Sequence, residues 1–295
     1  MPRLLRVATR GSALARWQAE RVATLLGARG FAAELVLVET TGDVRTDVPL
    51  HAIGGQGVFV KEVQQAVLQC RADIAVHSAK DLPSSFGAPG LVLACVPERG
   101  DPRDALVGCR LAELGPGVTV ATGSVRRQAQ LADRVEGLRF VDLRGNIQTR
   151  LGKLPEGGAL VMAAAALERL GLASAIAEVL DPEVMVPQVA QGALAIECRA
   201  DDRALQQILA DLEDLDGRAA VDAERAFLAA FGAGCDLPVG AYADPGGTFR
   251  TYARFTAGRG HTHRAAGTWD AVDAARSGHR AGEAALAEAR ANGAG

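Results

Sequence analysis

Residues 72–83 read Ala-Asp-Ile-Ala-Val-His-Ser-Ala-Lys-Asp-Leu-Pro, and this stretch decides the fold. A short apolar run gives way to polar residues, and Pro83 cannot donate to a strand ladder. The pattern predicts a buried strand that delivers Lys80 and Asp81 to a crevice, because open α/β sheets bind ligands at strand ends. An ammonium beside Asp81 favours the ionised carboxylate, which can stabilise positive charge. The alternative is an ordinary surface ion pair.

Composition limits the class of protein. A chain of 295 residues with 48% hydrophobic content can fold two or three domains. A formal charge of -3 argues against a dedicated nucleic-acid binder, which usually carries an overall basic surface. No secretory signal begins the chain, and no stretch approaches the ~20 apolar residues of a membrane span, so we expect a cytoplasmic protein without membrane contact.

The cysteines do not form a recognisable framework. Their number is odd and no Cys-x-x-Cys pair occurs, which disfavours disulfides and a zinc site. Four of them lie in apolar runs and are expected in cores. Cys235 instead lies in a glycine-rich loop, where a reagent can reach it. His261 and His263 would share one face of a strand, but no third ligand is near, so we expect no metal.

The first hundred residues alternate between strand and helix patterns, which indicates an α/β domain with a largely parallel sheet. A strand at residues 5–8 precedes a helix capped by Ser12, and the intervening turn makes Arg10 and Ser12 candidates to hold a carboxylate or phosphate. A long glycine-rich loop from Thr40 to Gly57 is a candidate lid. The charged segment 97–104 is interpreted as a hinge.

Beyond the hinge, three successive strand ends carry arginine. Arg126 and Arg127 lie in the first turn of a predicted helix, where cations are disfavoured unless an anion binds there. Arg144 and Arg150 follow the next strand, and Arg169 follows the third. Guanidinium groups pair with carboxylate or phosphate through two parallel hydrogen bonds, so a polyanionic ligand is predicted.

The last hundred residues are predicted to contain a returning strand and a third unit. Residues 187–212, which include Gln191, are expected to cross back to the first domain. A helix at 218–231, the loop with Cys235, and two strands follow. The Ala-rich helix from 270 to 292 is expected to be interrupted at Ser277-Gly278.

Five separated motifs, in order, resemble the porphobilinogen deaminase (hydroxymethylbilane synthase) family. They are Val76–Pro83, Gly123–Gln128, Leu143–Asn146 with Arg150, Val189–Ala193 and Gly234–Gly240. The resemblance runs from Arg10 to about Tyr242. It implies two periplasmic-binding-protein-like lobes with a double crossover and a smaller α+β C-terminal domain. The implied domains are residues 1–97 with 188–214, residues 98–187, and residues 215–295.

The resemblance also implies an activity, a cofactor and a site. A dipyrromethane cofactor would be attached through a thioether to Cys235, four porphobilinogen units would be added with loss of ammonia, and hydrolysis would release hydroxymethylbilane in tetrapyrrole biosynthesis. Asp81 would be the catalytic carboxylate, and a monomer would suffice. The residues implied to bind cofactor and substrate are Arg10, Ser12, Phe59, Lys80, Thr122, Ser124, Arg126, Arg127, Arg144, Arg150, Arg169 and Gln191.

Three positions depart from the family pattern. Ala52 and Gln56 stand where lysines are usual in the lid, and Gly123 stands where serine is common. The lid changes predict weakened anion contacts there, and reverting both positions to lysine should strengthen substrate binding.

Two other functions remain open from the residues alone. A cytosolic anion-binding protein would explain the arginines but not Cys235. A hydrolase that pairs Cys235 with His77 is also conceivable, although His77 lies within an apolar strand and is more typical of a structural histidine.

Overall fold

The computed structural model describes residues 3–40, 57, 59–83, 88–232 and 238–294. The strands in these ranges are β1 Leu5–Arg10, β2 Ala33–Val38, β3 Ile74–Ser78, β4 Leu91–Cys95, β5 Asp104–Val107, β6 Thr119–Ala121, β7 Arg139–Val141, β8 Ala159–Ala163, β9 Ile176–Val179, β10 Leu194–Arg199, β11 Val239–Ala243, β12 Thr248–Phe255 and β13 His261–Thr268. The helices are α1 Ala13–Gly27, α2 Lys61–Leu68, α3 Val125–Ala132, α4 Ile147–Leu151, α5 Ala164–Arg169, α6 Arg203–Ala210, α7 Leu215–Ala230 and α8 Ala274–Ala291. No helix in these ranges is long and apolar enough to cross a membrane.

The chain divides into two compact units, residues 1–99 with 193–218, and residues 100–192 with 219–295. The first unit contains a five-stranded sheet in the order β2-β1-β3-β10-β4. Strands β1, β2 and β3 are parallel, and β10 runs antiparallel to both β3 and β4. The predicted return of the chain after residue 187 is therefore confirmed, since β10 lies between two strands that precede it by about a hundred residues.

Alternation along the strands places the core of the first unit on both faces of its sheet. Val7 and Ile74 join a cluster with α1 and α6, whereas Ala8 and Ala75 join a cluster with α2. Strands covered by helices on both faces are apolar throughout, which explains the unbroken run in residues 74–76.

The second unit repeats the same strand pattern. Its sheet has the order β7-β6-β8-β5-β9, with β6, β7 and β8 parallel and β5 antiparallel to both β8 and β9. Strands β5 and β9 were not predicted from the sequence. Asp104 was expected in a charged hinge, but this residue begins β5 and is completely buried.

A smaller three-stranded antiparallel sheet, β11-β12-β13, follows in the second unit together with α8. The predicted interruption of α8 at Ser277-Gly278 is wrong, because the helix is continuous from 274 to 291. A β-carbon on Gly278 would lie 1.8 Å from the Ala223 carbonyl oxygen. The glycine therefore permits close packing of α8 on α7, and that packing outweighs its low helix propensity.

Candidate functional site

The predicted anion-binding residues of the first unit lie at the carboxyl edge of its sheet. Arg10 is the last residue of β1, and its Cζ atom lies 3.9 Å from the centroid of the Phe59 ring. Ser12 caps α1 and its hydroxyl accepts a hydrogen bond from the Ala15 amide at 3.3 Å. The turn therefore brings together a guanidinium, an aromatic face and a helix N-terminus, a combination suited to an aromatic anion.

Asp81 lies at the same edge. After β3 ends at Ser78, the chain enters a 3-10 helix, Ala79–Asp81, that contains Lys80. The Ala79 amide donates to the Ala193 carbonyl at 3.0 Å, and Gln18 Nε2 donates to Ser78 Oγ at 2.8 Å. Strands β1 and β3 are parallel neighbours. Arg10, at the end of β1, and Asp81, after the end of β3, therefore lie at the same edge of the sheet. Asp81 is half-buried on a short, fixed turn rather than on a long loop.

The second unit also gathers its candidates at a carboxyl edge. The turn after β6 contains Thr122 and Ser124, and the Thr122 amide donates to the Val141 carbonyl at the end of β7 at 3.0 Å. Ser124 caps α3, accepting from the Arg127 amide at 3.4 Å. The last residue of β8 leads directly into α5, which ends at Arg169.

Arg126 and Arg127 contact an anion within the protein itself. The Asp104 carboxylate is completely buried, and its Oδ2 atom lies 2.7 Å from Arg126 Nη2. Its Oδ1 atom accepts from Arg127 Nη2 at 2.7 Å and from Gln191 Nε2 at 3.0 Å. Burial raises the pKa of Asp104, but Arg126 and Arg127 more than offset this effect and lower the pKa to about 2. The carboxylate is therefore ionised at neutral pH.

The other candidate arginines of the second unit form hydrogen bonds or ion pairs with neighbouring groups. Arg144 Nε lies 3.3 Å from Asp142 Oδ2, and Arg150 Nε donates to the Gly145 carbonyl at 2.7 Å. Arg169 Nη2 donates to the carbonyl of Gly192, beside Gln191, at 2.5 Å. Burial lowers the pKa of Arg169, although the group remains a cation at neutral pH. These three side chains are half-buried, so each keeps access to solvent.

Asp104 was not found by sequence reasoning, and a second buried carboxylate was also missed. Glu197 Oε2 lies 3.1 Å from His77 Nε2 and accepts from Gln64 Nε2 at 2.8 Å. His77 is thus placed as a buried structural residue of the first unit. The available signal for Asp104 was the apolar run Ala105–Val107 directly after it, which predicts a strand.

Several other predicted positions differ in outcome. Cys95 and Cys198 are buried as expected, but Cys70 is exposed, because it follows the end of α2 with a φ of 57° and points away from the core.

His261 and His263 both contact Glu288, at 2.8 and 2.5 Å. Among the described residues no three His, Cys, Asp or Glu side chains are grouped to hold a metal ion. The lid loop with Ala52 and Gln56, and the loop with Cys235, lie outside the described residues.

Comparison with known proteins gives a consistent result. Residues 5–207 match the family model "Porphobilinogen deaminase, dipyromethane cofactor binding domain", and residues 219–257 match "Porphobilinogen deaminase, C-terminal domain". The porphobilinogen deaminase of Acidothermus cellulolyticus is 53% identical over 81% of this chain and 74% of its own length. That of Nitratidesulfovibrio vulgaris is 47% identical over 80% of this chain and 77% of its own. A periplasmic substrate-binding protein from Coxiella burnetii is 13% identical over 70% of this chain and 91% of its own, with a TM-score of 0.43.

Proposed function

The chain belongs to the porphobilinogen deaminase family, and from this membership we propose that it condenses four porphobilinogen molecules head to tail and releases hydroxymethylbilane. In each addition the bond from the aminomethyl carbon to nitrogen breaks and ammonia leaves. A carbon–carbon bond then forms between that carbon and the unsubstituted ring carbon of the pyrrole already in place, which loses its proton to solvent. We further propose that the enzyme acts as a monomer in the cytoplasm, with porphobilinogen as its small-molecule substrate.

The observation that carries the proposal is that Asp81 follows β3, the parallel neighbour of β1, whose last residue, Arg10, lies over the Phe59 ring. A carboxylate at a strand end can accept hydrogen bonds from pyrrole N–H groups and stabilise the positive charge that develops as ammonia departs. Arg10, stacked on Phe59, is oriented to bind a substituent carboxylate of the same ring. Lys80, the residue before Asp81, adds a positive charge that attracts the anionic substrate.

The family's dipyrromethane group fits the donor set of this chain. Each pyrrole of the group carries an acetate and a propionate, and the described residues supply guanidinium, hydroxyl and amide donors in both units. Arg126 Nε is buried and no described residue accepts a hydrogen bond from it, so this donor is suited to a ligand oxygen. When bound, the group supplies the free pyrrole carbon to which the first substrate is joined.

We propose specific residues for holding this group and the substrate. Cys235 is the attachment point through a thioether. The proposed carboxylate-binding residues of the first unit are Arg10, Ser12 and Lys80, with Phe59 against a ring. Those of the second unit are Thr122, Ser124, Arg126, Arg127, Arg144, Arg150, Arg169 and Gln191.

Intact-mass spectrometry of the purified protein tests the proposal, together with peptide mapping. We expect the chain mass plus one dipyrrole, mapped to the peptide containing Cys235, and the bare chain mass for Cys235→Ser. Turnover of porphobilinogen should be abolished in Asp81→Asn although the adduct is retained. A bare wild-type chain that consumes no porphobilinogen would instead favour an anion-binding protein.

A further inference from the structure

A polar cluster in the second unit is built around Asp104. The first residue of β5 places its carboxylate where two arginines of α3 and one glutamine converge, and all four side chains are buried. Arg127 donates to Asp104 Oδ1 through both Nε and Nη2, at 3.0 and 2.7 Å. Donation through two nitrogens fixes the plane of a guanidinium as well as its position.

Backbone carbonyls hold the opposite arm of each guanidinium. Arg127 Nη1 donates to the Val161 carbonyl at 3.0 Å, and Arg126 Nη1 donates to the Val186 carbonyl at 2.6 Å. The Gln191 amide is fixed in the same way, because Nε2 donates to the Pro102 carbonyl at 2.8 Å as well as to Asp104. None of the three side chains can rotate without breaking a buried hydrogen bond.

The charges of the cluster do not cancel. Among the described residues, two guanidinium groups face one carboxylate, which leaves one positive charge among residues that are at most 7% exposed. Arg126 Nε also has no hydrogen-bond partner in the part of the chain that the structure describes. A buried charge is costly unless paired, so the cluster is arranged to receive one further anion.

We propose that Asp104 is a positioning residue for substrate binding, which fixes Arg126, Arg127 and Gln191 so that they present one net positive charge to one carboxylate of a pyrrole ligand. This proposal rests on the proposed function. Asp104 does not touch the ligand; it acts through the two arginines and the glutamine. Its contribution is preorganisation, since the guanidinium groups need not be ordered when the ligand binds.

Two variants test separately the charge of Asp104 and the position of its carboxylate. Asp104→Asn removes the negative charge at nearly constant size, and Asp104→Glu keeps the charge but displaces the carboxylate by one methylene. Asp101→Asn is the matched control, because Asp101 pairs with Arg103 and not with the cluster. For each protein we would measure adduct occupancy by intact mass, thermal unfolding, and KM and kcat with porphobilinogen.

We expect Asp104→Glu to fold and to raise KM about tenfold, equivalent to about 1.4 kcal/mol, with kcat within about threefold of wild type. Adduct occupancy should fall in both Asp104 variants and stay unchanged in Asp101→Asn. A purely structural role would instead reduce the folded fraction, lowering apparent kcat at constant KM. If Asp104→Asn does not fold, the KM and the adduct occupancy of Asp104→Glu are sufficient to test the proposal.

Wild-type KM and occupancy in a folded Asp104→Glu variant would overturn the inference while leaving the proposed function intact. A wild-type protein that lacks the adduct would count against the proposed function itself. The two failures are therefore distinguishable in one set of measurements.

Discussion

Asp142 occupies the space that a side chain on Gly123 would need. A β-carbon at position 123 would lie 2.8 Å from Asp142 Oδ1 and 3.0 Å from the Leu143 carbonyl oxygen. Asp142 also accepts from the Leu143 amide at 3.0 Å and pairs with Arg144. Gly123 thus accompanies an aspartate that pairs with one of the proposed binding arginines.

This relationship predicts the behaviour of Gly123→Ser. The single variant should lose about 0.5–1 kcal/mol of unfolding free energy, because the new side chain meets a backbone carbonyl and an exposed carboxylate. The double variant Gly123→Ser/Asp142→Ser should recover at least half of the lost unfolding free energy, since the smaller side chain at position 142 leaves room for the new serine. Urea unfolding of the two single variants and the double variant measures the coupling. Equal stability of Gly123→Ser and wild type would contradict the steric argument.

The contact between Arg10 and Phe59 predicts a selective effect on substrate binding. Phe59→Leu removes the aromatic face while keeping an apolar side chain, so Arg10 loses about 0.5–1 kcal/mol of orienting interaction. We expect KM for porphobilinogen to rise roughly two- to fivefold with little change in kcat. Phe59→Tyr keeps the ring and serves as the control. Identical KM values for Phe59→Leu and Phe59→Tyr would exclude a role for the ring face.

The low pKa of Asp104 predicts how stability depends on pH. A carboxyl with a folded-state pKa of about 2 and an unfolded value near 3.8 stabilises the fold above the unfolded pKa. That contribution, about 2–3 kcal/mol, is lost as pH falls through about 2, and about half is gone at pH 3. Denaturant unfolding of wild type and Asp104→Asn at pH 6 and pH 3 should show the difference between them shrinking by more than about 1 kcal/mol. If the difference in unfolding free energy is the same at pH 6 and pH 3, the two arginines do not lower the pKa of Asp104.

The packing of α8 on α7 predicts a severe effect of Gly278→Ala. The added methyl group would overlap the Ala223 carbonyl, so α8 must move away from α7 and lose packing. We expect the unfolding free energy to fall by at least about 2 kcal/mol. Gly267→Ala, on β13 with nothing within 4 Å of the new carbon, should be nearly neutral in the same thermal unfolding assay. Comparable midpoints for the two variants would refute close packing at Gly278.

The cysteines differ in accessibility, which predicts their reaction with iodoacetamide. Burial raises the pKa of Cys198 to about 11 and also raises that of Cys95, so neither buried thiol reacts in the folded protein. Cys70 is exposed and should be alkylated at pH 8. Peptide mapping before and after denaturation checks this, and modification of Cys198 in the native state would contradict it.

Local sequence signals predicted many of the strands and helices correctly. Ser12 caps α1 as predicted, because capping depends on neighbouring residues alone. The strand before Asp81 was clear from its apolar run and the following proline. β10 was expected from its apolar residues, and the family resemblance supplied its place in the first unit.

What sequence reasoning missed depends on contacts between distant residues. Asp104 stands in a charged segment typical of a surface turn, and its partners follow 22, 23 and 87 residues later. No local pattern reports that α3 and the turn with Gln191 converge on one carboxylate of β5. The error at Gly278 has the same origin, since the cost of glycine in a helix was visible and the approach of α7 was not.

The position of β10 has a consequence for how the chain folds while it is being synthesised. Ribosomes release the chain from its N-terminus, yet the first sheet lacks a strand between β3 and β4 until residues 194–199 have emerged. Until then both strands expose unpaired edges that invite wrong partners. We therefore expect residues 1–99, expressed alone, to be protease-sensitive and to aggregate, and adding residues 193–218 as a separate peptide should protect them. The order of synthesis and the order of folding cannot coincide in such a chain.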